Sequence, residues 1–463
     1  MTPPEVEPVV IVGAGPAGAF CAERLLDRGF PAAAITVVER GPEKVEERRC
    51  PQSPLCNCRQ CEILEGVGGA GGLSDGKLTF SLGRGVQTEQ VFSEDTEHSM
   101  LLDLVARFRQ TNIPMRVFEG ESREPLYPSS PATFTRYPLM HLGSDGMREF
   151  IRRQAWELSA RGVTFIRGDA WSPVLGSEDG QSKATGLTVR LDNGSEVIYP
   201  AGHVVIATGL SGTGRWEAIL DRLDVHLADG PAGFGLRIEA DADVLEPLFD
   251  RFYDWKVEMP FKFSTLRSFC CNRDGYVVNE NHRDSGFMNV NGHSYLNPAM
   301  RSGRSNFALI AKLPVSSAVP YPQAFVRAVA RTINRGPGDK RFTKCQSMAS
   351  FMTGGSPVAG LGATNPQAIP DWVSDDLPGW LLNNFRFFLG ELATVVPSLF
   401  TRGTSLIYGP EVKYYGYRMP VDPTWQIRGI DGLHVVGNAS GYIDSYIAAA
   451  LSGMRAADHI AGF

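Results

Sequence analysis

No run of roughly 18 uninterrupted apolar residues occurs in this 463-residue chain, so the sequence offers no membrane-spanning helix. Nor is there an excess of positive charge. The 45 Lys and Arg stand against 51 Asp and Glu, and a net charge of −6 gives no electrostatic case for nucleic acid or an anionic membrane surface. The opening residues, Met1 to Pro8, carry no basic segment of the kind that starts a secretory signal, and they lead at once into an apolar strand. A cytoplasmic location is therefore expected, and most of the eight cysteines should be reduced. Internal repeats and low-complexity tracts are also lacking. What remains, 43% hydrophobic and 21% charged residues over a length sufficient for two or three cores, is the composition of an ordinary globular protein.

The most informative stretch runs from Val9 to Gly18. Four β-branched residues predict a buried parallel strand, and Gly13, Gly15 and Gly18 follow at the G-x-G-x-x-G spacing that opens a helix. Gly13 would allow the tight turn, Gly15 would let a pyrophosphate approach the backbone, and Gly18 would let the helix pack on the strand. That helix is expected from about Ala17 to Arg28, closed by Gly29, with Pro16 at its start. A lone glycine fingerprint is weak evidence in a chain with 50 glycines. Here a second apolar strand, Ile35 to Glu39, follows the helix and ends on a carboxylate placed to accept hydrogen bonds from a ribose diol. A carboxylate there repels a 2′-phosphate, so FAD or NAD is expected rather than NADP.

Cys50, Cys56, Cys58 and Cys61 crowd into twelve residues of a Pro-containing loop. Three readings are open: a structural zinc or iron–sulphur cluster, a disulfide or redox-active dithiol exchanging electrons with a flavin, or free thiols. The C-x5-C-x-C-x2-C order matches no common zinc module. Directly after it, residues 66–76 hold six glycines, which cost backbone entropy on folding and predict close passage of the backbone against something flat or phosphorylated. Ser74, Asp75 and Lys77 would be the polar groups facing it. Cys21, Cys270, Cys271 and Cys345 read as core or near-core thiols.

Helical spacing covers 97–112 and 145–161, the second with Asp145 as N-cap. A short strand at 162–166 follows, then a hairpin turning at Asn193-Gly194, then a core strand from His203 ending in Ala207-Thr208-Gly209, small enough to pass beneath a cofactor. Between 233 and 423 the texture changes to strands mixed with Asn-, Pro- and Gly-rich loops, as in an antiparallel β domain with inserted helices. Dinucleotide-fold texture returns with Leu433 to Gly441 and helical spacing from Tyr442 to Ile460. The expected architecture is α/β: an interrupted Rossmann-like FAD-binding domain, 1–232 and 424–463, around a β-rich substrate domain, 233–423.

These pieces resemble the FAD-dependent oxidoreductases of the glutathione-reductase superfamily and, more narrowly, the "FAD-dependent dehydrogenase" family. The narrower likeness rests on Gly68 to Lys77 with the cysteines before it, His141 to Asp145, Gly233 to Glu239, Arg267 to Cys270, Val290 to Tyr295, and Gly409 to Glu411. It implies a tightly held FAD. Together with the motifs it makes cofactor contacts of Gly13, Gly15, Pro16, Ala17 and Gly18 in the first loop, and of Glu39 and Arg40 after the second strand. In the second glycine run the set is Gly69, Gly71, Gly72, Ser74, Asp75 and Lys77. Ala170, Ala207, Thr208, Gly209, Gly437, Asn438 and Ile443 complete it. Asn438 stands where the superfamily usually has an aspartate, and Tyr442-Ile-Asp-Ser-Tyr-Ile replaces the usual Arg-Gly-Ile.

The expected activity is hydride transfer between a small organic substrate and flavin N5, in a biosynthetic or tailoring setting. Lys77, Arg267, His293, Tyr295 and Glu411 are the catalytic candidates, with Lys312 and Lys413 as further groups able to bind a carboxylate or carbonyl. A flavin monooxygenase reacting at C4a is the alternative, and a flavin–cysteine redox sensor or electron-transfer module is a third. A second fingerprint for NAD(P)H is absent, since Gly209-Leu-Ser-Gly-Thr-Gly214 has the wrong order, so a two-nucleotide disulfide reductase is not expected; NAD(P)H as a transient reductant stays open. The sequence leaves the oligomeric state open.

Overall fold

A computed structural model describes residues 6–48, 61–80, 94–336, 341–356, 362–413 and 416–463. Its first sheet has a parallel core of five strands: Val9–Val12, Ile35–Glu39, Thr164–Glu178, His203–Ile206 and Leu433–Val435. Ranked by chain position they lie in the order 3-2-1-4-5 across the sheet, the doubly wound arrangement of dinucleotide folds. Val9 to Val12 are all buried, as a central parallel strand requires. The strand expected at 162–166 is far longer. Beyond the parallel register it bends into an antiparallel meander with Gln181–Leu191 and Glu196–Pro200, turning at Gly194 (φ +85°) as its Asn-Gly pair predicts.

Helix Pro16–Asp27 packs on helix Tyr446–Ile460 so closely that a Cβ at Gly453 would lie 2.0 Å from the Ala17 carbonyl oxygen. Asp458 clamps the pair, accepting from Arg24 Nε at 2.7 Å and Arg28 Nε at 2.6 Å. The last helix begins at Tyr446, not Tyr442, because Ser445 takes the cap by accepting the Ala448 N–H. Asp145 likewise is not the N-cap of its helix, Gly143–Ala160. It lies in the first turn, where its carboxylate accepts the Leu296 and Asn297 N–H groups.

The second sheet has nine strands, antiparallel apart from one pairing at its edge. Ala232–Asp241 is paired with Arg304–Leu313 on one side and Leu406–Lys413 on the other, and Thr265–Asn272 lies outside Arg304–Leu313. Helices Pro322–Ile333 and Gly379–Val395 share its core. Ser122–Pro125 and Thr133–Arg136 also join this sheet through Lys256–Pro260. A boundary at 232/233 therefore does not follow the sheets: part of 1–232 belongs with the second one, since a hairpin is placed by the edge that pairs it and not by its position in the chain. Among the described residues no helix is long and apolar enough to cross a membrane.

The contact at Gly453 generates a test. Gly453→Val should lower the melting temperature markedly, because backbone cannot yield as a flexible side chain does. A melting temperature equal to wild type would show that the two helices are free to separate there.

Candidate functional site

The carboxyl ends of the five parallel strands open on one cavity of about 710 Å³. Its lining follows the strand order across the sheet: Gly168 to Ala170, then Glu39 and Arg40, then Gly13 and Gly15, then Ala207 to Gly209, then Gly437 and Asn438. Chain order reverses between Val9–Val12 and His203–Ile206, and a crevice at such a switch point is where doubly wound sheets bind ligands.

Gly13 needs its glycine twice over, for a φ of +103° and for a Cβ position only 2.6 Å from the Ala207 carbonyl oxygen. Gly15 differs. A Cβ there would meet nothing nearer than Gly69 Cα at 3.7 Å, so the space before it is open. Pro16 and Ala17 line the cavity, whereas Gly18 does not. A Cβ at Gly18 would sit 2.0 Å from the Gly13 carbonyl oxygen, which makes its role helix packing.

The second glycine segment lies against the first, with Gly68 N–H donating to Ala14 O at 2.8 Å. Gly69 and Gly71 face the cavity, but Gly72 backs onto Arg48 and is not part of the lining. Arg48, which sequence reasoning missed, is wholly buried and donates at 2.8 Å to each of the carbonyls of Glu62, Ile63, Val67 and Gly69. Burial lowers its pKa to about 10. It is the pin of this loop.

Glu39 also proves to have a structural task beside the one expected of it. Oε2 accepts the Ala14 N–H and Oε1 accepts those of Gly41 and Gly66, all at 2.9 Å, so one carboxylate joins three turns. Oε2 keeps a lone pair for a hydroxyl. Arg40 lines the cavity between Glu65 (2.7 Å) and Asp284 (2.9 Å). Glu65 Oε2 and Thr208 Oγ1 are buried on this wall with no hydrogen-bond partner among the described residues, as befits a site that receives a polar ligand. Burial raises Glu65 to about 7.

No protein-family model matches the chain, and no curated protein does. Solved structures do. One is CmlS, a flavin-dependent halogenase, at 14% identity over 99% of this chain and 58% of that one, TM-score 0.44. Another is 2,6-dihydroxypyridine-3-hydroxylase from Arthrobacter nicotinovorans, at 12% over 99% and 83%, TM-score 0.45. A third is a geranylgeranyl bacteriochlorophyll reductase-like protein from Thermoplasma acidophilum, at 14% over 99% and 78%, TM-score 0.43. The chain thus spans under two thirds of the halogenase. Likeness at this level decides nothing about the chemistry, which rests on the cavity's own residues.

The opposite wall comes from the second sheet and its neighbours, and includes Arg267, Phe269, Lys312 and Lys413. Lys77 reaches it from the short strand Lys77–Thr79 that follows the second glycine segment. Its ammonium lies 2.7 Å from Asp75 and 3.4 Å from Asp254 and donates to the Cys271 carbonyl. Burial opposes its charge, but Asp254 and Asp75 outweigh burial and hold Lys77 protonated well above the ordinary lysine value. Lys77 is therefore a fixed cation and not a general base. Asp75 itself is held at about 2: burial opposes its charge, and Lys77 and His141 overcome it. Ser74 lines the cavity and spends its hydroxyl on the Gly71 carbonyl.

Three catalytic candidates fall outside the cavity. Glu411 is wholly buried and takes a bidentate pair from Arg237 at 2.7 and 2.8 Å. Arg237 spends its remaining donors on the Asn272, Asn291 and Asn306 side chains and the Cys270 carbonyl, so the pair is a satisfied knot inside the sheet. His293 is buried beside Ser144, pushed down to about 4 by burial, and Tyr295 borders a separate, smaller cavity with Arg148. Ile443 is core. Cys61 is a buried thiol, raised to about 12 by burial, that accepts the Asn281 N–H. Cys50, Cys56 and Cys58 lie outside the described residues, among which no group of His, Cys, Asp and Glu could hold a metal ion.

Sequence reasoning missed Asp254, Lys256 and Asp444. Asp254 and Lys256 are two apart at a strand start, a period-2 signal that was available; Asp444 lies in the segment from Tyr442 to Ile447 that departs from the superfamily's Arg-Gly-Ile, and that departure was its signal. Burial raises Asp444 to about 6, against the pull of Arg267, Lys312 and Lys413. A carboxyl whose folded pKa lies above its unfolded value adds stability below the unfolded value and loses it as pH rises. In ligand-free protein Asp444→Asn should therefore gain stability over wild type as pH climbs from 3.8 to about 6. Urea midpoints that stay parallel across that window would contradict the burial of the charge.

Proposed function

We propose that the chain is an FAD-dependent oxidoreductase acting on a small organic substrate by hydride transfer. One observation carries the reading: a single cavity has five parallel strand ends on one side, four of them bringing glycines, and, on the other, a charged wall from a separate antiparallel sheet. FAD would supply the two-electron chemistry at N5. Gly13, Gly15 and the start of helix Pro16–Asp27 would hold its pyrophosphate, Glu39 a ribose hydroxyl, and Gly437 and Asn438 its flavin end. The open space at Gly15 and the unpartnered oxygens of Glu65 and Thr208 fit such a guest.

The protein's own part is positioning and charge. Lys77 stays protonated between its two carboxylates and stabilises negative charge developing beside it. Arg267, Lys312 and Lys413 orient the substrate from the other wall. A cavity with two unlike walls suits a substrate facing a cofactor better than it suits an electron-transfer module.

Gly15→Val should give folded protein without flavin, because the valine points into space the chain itself does not use. Flavin retained at wild-type stoichiometry would remove this loop from the cofactor site. Anaerobic titration then separates the reactions. Bleaching of bound flavin by an organic substrate is the expected result, and bleaching by NAD(P)H alone would overturn the hydride-transfer reading and favour a monooxygenase.

Asn438 lines the cavity as a neutral residue. Asn438→Asp should keep FAD and lower its midpoint potential, since a carboxylate there opposes the added electrons. A potential equal to or above wild type would place Asn438 away from the ring.

A further inference from the structure

The second sheet brings four residues into one cross-strand row. Lys413 pairs with Gly233, Gly233 with Lys312, and Lys312 with Thr265. Directly paired residues project from the same face, so the two lysines flank a glycine, their backbones about 10 Å apart. Arg267 and Phe269, two and four residues beyond Thr265, extend the same face along their strand. All but Gly233 and Thr265 line the cavity. Around the Phe269 ring stand Lys256 Nζ at 4.9 Å, Arg267 Cζ at 5.2 Å and Lys413 Nζ at 5.8 Å from its centroid.

The carboxylates nearby are mostly committed. Glu411 is paired bidentately with Arg237 and also stands 3.4 Å from the Lys413 ammonium, Asp254 is shared by Lys77 and Lys256, and Glu280 is held by His282, Asn289 and Asn291. Asp444 stands 3.8 Å from Arg267. Lys312 makes no hydrogen bond and no ion pair among the described residues, although it opens on the cavity. Burial first and Arg267 second push it below the ordinary lysine value, against the opposing pull of Asp444 and Glu258. An arriving anion would relieve that crowding.

We propose that this face is the anion-recognition part of the substrate site: an organic oxyanion, carboxylate or phosphate monoester, lodges between Lys312, Arg267 and Lys413, its apolar body against Phe269. Gly233 supplies the room, because any side chain there would stand in the row between the two lysines. The inference rests on the reading of the chain as a flavoenzyme for a small organic substrate, and it narrows that substrate to an acid.

The test uses purified protein at constant ionic strength with three probes of one shape: benzoate, phenyl phosphate and neutral benzamide. Melting temperature and the flavin absorption band are followed in wild type and in Lys312→Met and Lys413→Met. Saturable binding of benzoate, phenyl phosphate or both, but not of benzamide, is expected, and the stronger of the two anions identifies the oxyanion. Each Met variant should weaken that binding by about tenfold or more with FAD content unchanged, the loss of one charge-assisted contact. Benzamide binding as well as the anions, no saturable binding by any probe, or anion binding unaltered in both variants would overturn the proposal. So would loss of FAD from the variants, which would assign these cations to the cofactor. Absence of FAD from wild type would instead sink the reading of function, while the melting-temperature series still decides whether the anion site exists.

Discussion

One carboxylate holds the loops at the carboxyl ends of the parallel strands in register. Glu39 closes the second strand and takes backbone N–H groups from Ala14, Gly41 and Gly66, joining the first glycine loop, the turn after its own strand and the second glycine segment. Charge-assisted bonds to backbone donors are about twice as strong as neutral ones, and three on one buried carboxylate leave little freedom to the loops that carry them. In the arrangement so held, a Cβ added at Gly15 would meet nothing nearer than Gly69 Cα at 3.7 Å, which leaves the space before Gly15 open. Arg48 does the complementary work with carbonyls.

The second sheet repeats the logic with opposite polarity. Arg237 and Glu411 neutralise one another in the interior of the sheet, and three asparagines absorb the donors left over. Breaking such a pair is costly because it leaves a buried charge without a partner. Beside that knot in the ladder, Lys312 and Arg267 face the cavity, and Lys413 faces it while standing 3.4 Å from Glu411. Lys77 joins the two walls, anchored on Asp75 from its own loop and on Asp254, just before strand Lys256–Pro260 of the second sheet. The cavity is thus walled by fixed charge on a rigid frame, the condition under which electrostatics act on a bound ligand without being spent on reorganisation.

Much of this was legible along the chain. The run Val9 to Gly18, the strand ending at Glu39 and the returning strand at Leu433 determine a doubly wound sheet, because strand, turn and helix there are local and each residue's role depends on its neighbours in sequence. The glycines at 13 and 15, the lysines at 77, 312 and 413 and the arginine at 267 were recognisable by type and place. What only the tertiary structure decided is which polar residue faces ligand and which faces protein. Glu411 and His293 look as chemical as Lys312 in sequence, yet strand pairing buries the first two and leaves Lys312 on the cavity. The same holds for the hairpin 122–136, claimed by a distant sheet edge, and for Arg48 and Arg237, whose partners are carbonyls and amides far away or without any sequence signature. Period and composition determine an element and its buried face; the pairing of elements, which is set by long-range burial and hydrogen bonding, determines where a charge ends up.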